Sequence, residues 1–161
     1  MSVPIDQILP VFFAAMQSGY AAGAKEGIVT ELPGSKIITY SQNEFRVVDC
    51  YLVTPYSDYS FGTTTIWFED IPVWMMQYRG RYLKKVIPFL KQALLRAYSS
   101  YQFVGGRGPK VYMADDGSKF DYVNRVDVAD WRNFRGHEEI LFPGKKYNPI
   151  SWHDYVGLLL L

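Results

Sequence analysis

Asp49 stands inside the apolar run Val47-Val-Asp-Cys-Tyr-Leu-Val53. A carboxylate in such a setting must be hydrogen-bonded or titrate above its usual range. Beside a tyrosine donor it could also serve as a general base, and Glu69 is the alternative acid for that role. Strand alternation puts Phe45, Val47, Asp49 and Tyr51 on one face, with Arg46, Val48, Cys50 and Leu52 on the other. Tyr51, Tyr56 and Tyr59 lead into the loop Tyr56-Ser-Asp-Tyr-Ser-Phe61, a natural mobile rim for a pocket. A later strand aligns Pro72, Trp74, Met76 and Tyr78, and a second one offers Ser151, His153 and Tyr155 in the corresponding places. The candidate ligand-binding set is therefore Asp49, Tyr51, Tyr56, Trp74, Tyr78 and His153.

Standard catalytic signatures are missing: there is no Gly-x-Ser-x-Gly elbow, no His-Glu-x-x-His and no P-loop. Gly105-Gly-Arg-Gly108 precedes a strand rather than a helix and reads as a turn. His137, His153 and Glu139 are a conceivable metal set. His153, however, corresponds to Met76, which favours a packed strand position, so no metal site, catalytic residue or cofactor is assigned. A single cysteine, Cys50, excludes an intramolecular disulfide and reads as a buried thiol. The net charge of +1 argues against a phosphate-binding surface, so direct nucleic-acid binding is not expected. The basic run Arg79, Arg81, Lys84 and Lys85 reads as a solvated face opening a helix. No segment approaches the ~18 apolar residues of a membrane span, and a reducing cytoplasm is the default location. Aromatics, at 17%, are in excess and suit either a β-rich core or a concave site.

The elements that must position these residues repeat. Pro72-Val-Trp-Met-Met-Gln-Tyr-Arg-Gly80 recurs as Pro149-Ile-Ser-Trp-His-Asp-Tyr-Val-Gly157, and Gly62-Thr-Thr-Thr-Ile-Trp-Phe68 as Gly136-His-Glu-Glu-Ile-Leu-Phe142. Asp49 answers Asn124, Trp74 answers Ser151, and Pro10 answers Pro88. Apolar stripes over 5–20 and 83–97 predict two helices, with Pro10 delaying the regular part of the first to about Leu9. Strands are predicted over 36–41, 44–53, 63–69, 71–78, 110–113, 120–126, 138–142 and 150–155, with turns at Glu69-Asp70, Asp115-Asp116-Gly117-Ser118 and Pro143-Gly144-Lys145-Lys146. Both faces of the 71–78 strand are largely apolar, which predicts a central strand covered on both sides. The expected fold is one α+β domain over 1–161, an internal duplication of a helix plus four antiparallel strands. Repeat 1 covers about 5–80 and repeat 2 about 82–157, joined about a pseudo-twofold axis with the helices packed on the sheet.

Leu32-Pro-Gly-Ser-Lys36, Ile71-Pro-Val-Trp-Met-Met-Gln-Tyr-Arg-Gly80 and Gly106-Arg-Gly-Pro-Lys110 together resemble the prokaryotic family catalogued as domain of unknown function 5680. The similarity runs from about residue 8 to 157. Some members are fused to helix-turn-helix regulators, so the resemblance implies a sensing or ligand-binding role. One departure counts: the family shows Glu where this chain has Thr64, while the second half keeps Glu138 and Glu139.

The residues thus favour a non-catalytic domain binding a small-molecule ligand in an aromatic-lined pocket. An interaction module, including a homodimer, and a small hydrolase or isomerase using Asp49 or Glu69 with Tyr51 or Tyr78 are the alternatives.

Overall fold

The computed structural model describes residues 2–113, 119–145 and 147–161. Helix α1 (Ile5–Ser18) and a 3-10 turn at Tyr20–Ala22 precede four strands, β1 (Ser35–Gln42), β2 (Phe45–Val53), β3 (Tyr59–Phe68) and β4 (Ile71–Arg81). A 3-10 turn at Lys84–Val86 leads into α2 (Ile87–Ser99). The strands β5 (Val111–Met113), β6 (Asp121–Asp130), β7 (Asn133–Leu141) and β8 (Ser151–Leu159) follow. All eight strands form one antiparallel sheet in the order β1-β2-β3-β4-β8-β7-β6-β5. The chain is therefore α+β. At the central seam Tyr78 of β4 lies opposite Tyr155 of β8, and on each side the strands run outward in reverse chain order.

Helix α1 begins at Ile5, one turn earlier than Pro10 suggests, and carries that proline in its interior. At the sixth helical position Pro10 removes the bond that its amide would donate to the Asp6 carbonyl, and its ring crowds that carbonyl. Burial of Ile8, Val11, Phe12, Phe13 and Ala15 offsets it, at roughly 1.5–3 kcal/mol for each large side chain. Pro88, by contrast, falls at the second position of α2, where it removes no bond. The Glu69-Asp70 turn joins β3 to β4 with both residues at positive φ, 48° and 65°. That is the twist a two-residue hairpin requires.

Both helices cover the same sheet face. Trp74, Met76 and Tyr78 point into this layer, and Phe12 of α1 meets Trp74 with ring centroids 5.2 Å apart. The opposite face of β4 is not covered as the apolar pattern predicts: Ile71, Gln77 and Arg79 are exposed. Val73 alone is fully buried there, beneath the C-terminal chain, where the Leu160 amide donates to its carbonyl. Helices packed on one face are enough when the other face carries Thr63, Gln77 and Arg79 for water. Cys50 lies half-buried on this open face. The basic run does not open a helix: Arg79 and Arg81 end β4, and Lys84 and Lys85 occupy the 3-10 turn. The predicted turn at 115–118 lies outside the described residues, as does Lys146 of the next one.

Candidate functional site

Between the helical layer and strands β1 to β4 lies a cavity of about 630 Å³. Its size is that of a site for a drug-sized molecule. Met16 reaches it from the end of α1, Tyr20 from the 3-10 turn that follows, and Ile87, Leu90, Lys91, Leu94 and Tyr98 from α2, while Thr54, Pro55, Ser57 and Asp58 of the β2–β3 connection form a rim with the start of β3. Six tyrosines line it, Tyr20, Tyr51, Tyr59, Tyr78, Tyr82 and Tyr98. Each brings an apolar ring body and a polar tip.

Asp49 points into this space from β2. It accepts hydrogen bonds from Tyr78 Oη at 2.7 Å and Thr64 Oγ1 at 3.0 Å, both on Oδ1. Oδ2 receives none from any described residue. Burial pushes the Asp49 carboxyl above its ordinary range, and the Tyr78 and Thr64 bonds offset only part of that. The same burial, with the Asp49 charge second, holds the Tyr78 phenol far above the usual value. Tyr78 can take this position because Gly62 is its partner across β3 and β4: a Cβ there would lie 2.6 Å from the ring and its hydroxyl.

At the mouth, Glu26 joins Tyr51 and Lys36. Tyr51 Oη donates to Oε1 through a short hydrogen bond, and Lys36 Nζ stands 2.6 Å from Oε2. Partial burial pushes Glu26 up, but the bonds from Lys36 and Tyr51 outweigh it and keep the carboxylate ionised. Lys91 lays its ammonium over the Tyr20 ring, 4.5 Å from the centroid. Desolvation pushes the Tyr20 phenol up to about 12.

The floor is a buried ion pair. Arg107 donates from Nε and Nη2 to Glu138 Oε1 at 2.9 and 2.6 Å, and its guanidinium faces the Tyr78 ring at 5.2 Å. Nη1 makes no hydrogen bond to a described residue. Tyr122 Oη donates to the other Glu138 oxygen, Oε2. Burial works against ionised Glu138, yet the Arg107 charge prevails and holds its pKa below the ordinary range. His153 stands beside them, Nε2 3.2 Å from Ser60 Oγ and Nδ1 3.7 Å from Glu138 Oε1. Burial first and Arg107 second lower the imidazole to about 3, so it is neutral. Its Nδ1 and Tyr82 Oη are buried without a hydrogen-bond partner among the described residues, and both residues line the cavity.

The cavity is one-sided. Over β6 to β8 the matching space is sealed by residues 104–108. Gly105 and Gly106 lie in the left-handed region, with φ of 63° and 71°. A Cβ on Gly105 would stand 2.6 Å from Tyr155 Oη, and one on Gly108 2.5 Å from Tyr122 Oη, so only glycines let this loop lie against the tyrosines. Asn124, opposite Glu138 as Asp49 is opposite Thr64, clamps it. Its Nδ2 donates to the carbonyls of Val104 and Gly108, while Oδ1 accepts from Tyr155. The glycine run is a turn, as its sequence suggests, and it also acts as a plug that places Arg107 on the cavity floor.

Residues 49–156, well over half of the chain, match the family model described as Domain of unknown function (DUF5680). The chain belongs to this family. No curated protein and no solved structure matches it.

In this member of the DUF5680 family, Asp49, Tyr51, Tyr78 and His153 line the same cavity. Trp74 does not, contrary to the sequence expectation. It is 1% exposed, stacks on Phe134 at 5.4 Å and donates from Nε1 to the Trp131 carbonyl, so it fills the core. Tyr56 does not either: it is 94% exposed, and its neighbours Pro55 and Ser57 form the rim instead. The conceivable metal set does not assemble. Alternation puts His153 on the cavity face, and His137 and Glu139 on the other, where His137 Nδ1 meets Asp154 at 2.7 Å. No metal-binding cluster occurs among the described residues. Glu69, in its turn between β3 and β4, is not among the residues that line the cavity. Arg107, Glu26, Lys36, Tyr82 and Tyr98 escaped the sequence reading, although Arg107 stood in a motif that carried the family resemblance. Among the described residues no helix is long and apolar enough to cross a membrane.

Proposed function

We propose that this chain binds a small molecule, without transforming it, in the cavity between its helices and β1 to β4. The observation that carries this reading is the unsatisfied polarity of the cavity wall. Asp49 Oδ2, Arg107 Nη1, Tyr82 Oη and His153 Nδ1 belong to residues that line the space, and none makes a hydrogen bond within 3.5 Å to a described residue. Tyr82 Oη and His153 Nδ1 are buried, and buried polar atoms in native structures are nearly always bonded, so two together on one wall call for an occupant. The phenols argue for binding over proton transfer. Tyr78 and Tyr51 are pushed up by burial, whereas an acid catalyst at neutral pH needs the opposite.

A thermal-shift screen against a metabolite library tests the reading. A ligand at 100 times its Kd adds about 2.7 kcal/mol to the folded state and raises Tm. A library spanning neutral, cationic and anionic compounds that leaves Tm unmoved throughout would sink it. A second reading, an isomerase or hydrolase, rests on the 2.7 Å contact between Tyr78 and Asp49 inside the cavity. Turnover of a library compound that disappears in Asp49→Asn would favour it. Self-association is a third reading, supported by the exposure of Leu52, Val156 and Leu158 on strands of the open sheet face, and light scattering decides it.

A further inference from the structure

We propose that the cavity takes an organic cation, a protonated amine or guanidinium carried on an apolar or aromatic body, with Asp49 as its anchor. The inference rests on the binding reading above and narrows it to a ligand class. It comes from comparing the open and the sealed halves of the sheet.

Asp49 and Asn124 occupy matching positions, each bonded through Oδ1 to the tyrosine of its own central strand. In the sealed half the second atom of the pair is a donor, Asn124 Nδ2, and it is spent on two carbonyls of the 104–108 loop. In the open half the second atom is an acceptor, Asp49 Oδ2, and no loop lies over it. Donor surfaces meet acceptors, and acceptor surfaces meet donors. An occupant that meets ionised Asp49 must therefore donate.

The protein's own side chains show that the donor is best charged. Thr64 and Glu138 also hold matching positions, and Glu138 binds a guanidinium that simultaneously covers the ring of Tyr78. Lys91 uses the Tyr20 ring in the same way at the mouth. Tyrosine faces in this cavity thus already seat two cations, and ring faces attract them more strongly once water is removed. The Arg107 charge favours ionised Asp49 from a distance, but its bonded nitrogens go to Glu138 and it makes no hydrogen bond to Asp49. A bound ammonium would also relieve the burial that now disfavours the ionised Asp49 carboxyl. Met16, Ile87, Leu90 and Leu94 offer the apolar contact for the rest of the molecule.

Three probes of one carbon skeleton test this by isothermal titration: 4-phenylbutylamine, 4-phenylbutanol and 4-phenylbutanoate. The amine should bind at least about tenfold more tightly than the alcohol, with the carboxylate weakest, and Asp49→Asn should bring the amine to the level of the alcohol. An amide already holds the matching position at Asn124, so the substitution suits the site. The wild-type order decides alone if the variant does not fold. Equal or tighter binding of the alcohol or carboxylate overturns the cation and leaves the cavity as a binding site. An amine preference that survives in Asp49→Asn overturns the anchor. Absence of binding by all three overturns the proposal, and the library screen then shows whether the binding reading falls with it.

Discussion

His153 should tie the stability of this fold to pH in a range where few side chains titrate. Its imidazole is 5% exposed, wedged between the Tyr78 and Tyr82 rings, with Arg107 close enough to oppose a second positive charge. Folded, it titrates at about 3; unfolded, at 6.5. Between those values the unfolded chain binds a proton that the folded one refuses, so stability falls as pH falls. Each pH unit in that window is worth about 1.4 kcal/mol, and descent from pH 7.5 to 5 removes about 2 kcal/mol. The figure barely depends on where below pH 4 the folded imidazole titrates. Asp49 works in the opposite sense: its raised carboxyl stabilises at low pH and loses that contribution as pH rises through its folded value. Glu138, held low, loses its contribution only as pH falls through a folded value below 4.5. Urea unfolding of wild type and His153→Gln at pH 7.5, 6.5, 5.5 and 5 separates these effects, since the two carboxylates are common to both proteins. The stability difference between them should shift by about 2 kcal/mol in the variant's favour across the series. Parallel pH dependences would refute the burial argument.

Two further perturbations probe the floor and the frame. Glu138→Gln leaves Arg107 buried without a countercharge and should cost about 3–5 kcal/mol in urea unfolding, much of it restored by adding Arg107→Met. A loss under 1 kcal/mol would mean that water reaches the guanidinium. Gly62→Ala sets a methyl 2.6 Å from Tyr51 Cβ and the Tyr78 ring, and should cost about 1–3 kcal/mol together with weaker binding of the cavity probe; a variant as stable as wild type would show that Gly62 does not fix Tyr78.

Local pattern carried the architecture because each element is dictated by nearby residues. The period-3.6 stripes became α1 and α2, and Glu69-Asp70 became the tight turn. Strand ends strayed where pairing, not composition, extends a strand: β3 starts at Tyr59 and β7 at Asn133, several residues before their apolar cores, because β4, β6 and β8 are long enough to pair with them. Alternation correctly put Trp74 and Tyr78 on one face. It held no information on which end of that face stays open, since Phe12 and Phe134 arrive from distant segments to cover Trp74. Asp49 was legible as an acid needing partners, and Thr64 and Tyr78 are those partners. Arg107 and Glu26 were not legible. One sits in a glycine loop and the other in irregular chain before β1, and their contacts bridge 31 and 25 residues.

The asymmetry of the sheet explains why a cavity exists on one side only. A tyrosine laid over a glycine, and bonded to Asp49 or Asn124, occurs on both sides of the central seam. That unit is scaffold, because it appears equally where there is a cavity and where there is none. What differs is the chain passing above it. The segment after α2 carries Gly105, Gly106 and Gly108 and descends onto Tyr155 and Tyr122; residues 23–34 after α1 instead stand aside and lend Glu26 to the mouth. Asn124 and Asp49 fit those two situations, an amide where carbonyls descend and a carboxylate where nothing does. A carboxylate left open in this way is costly in a purely structural core, since the Tyr78 and Thr64 bonds offset only part of its desolvation. Its position, facing the cavity where Asn124 faces a loop, is the feature that the proposed ligand would complete.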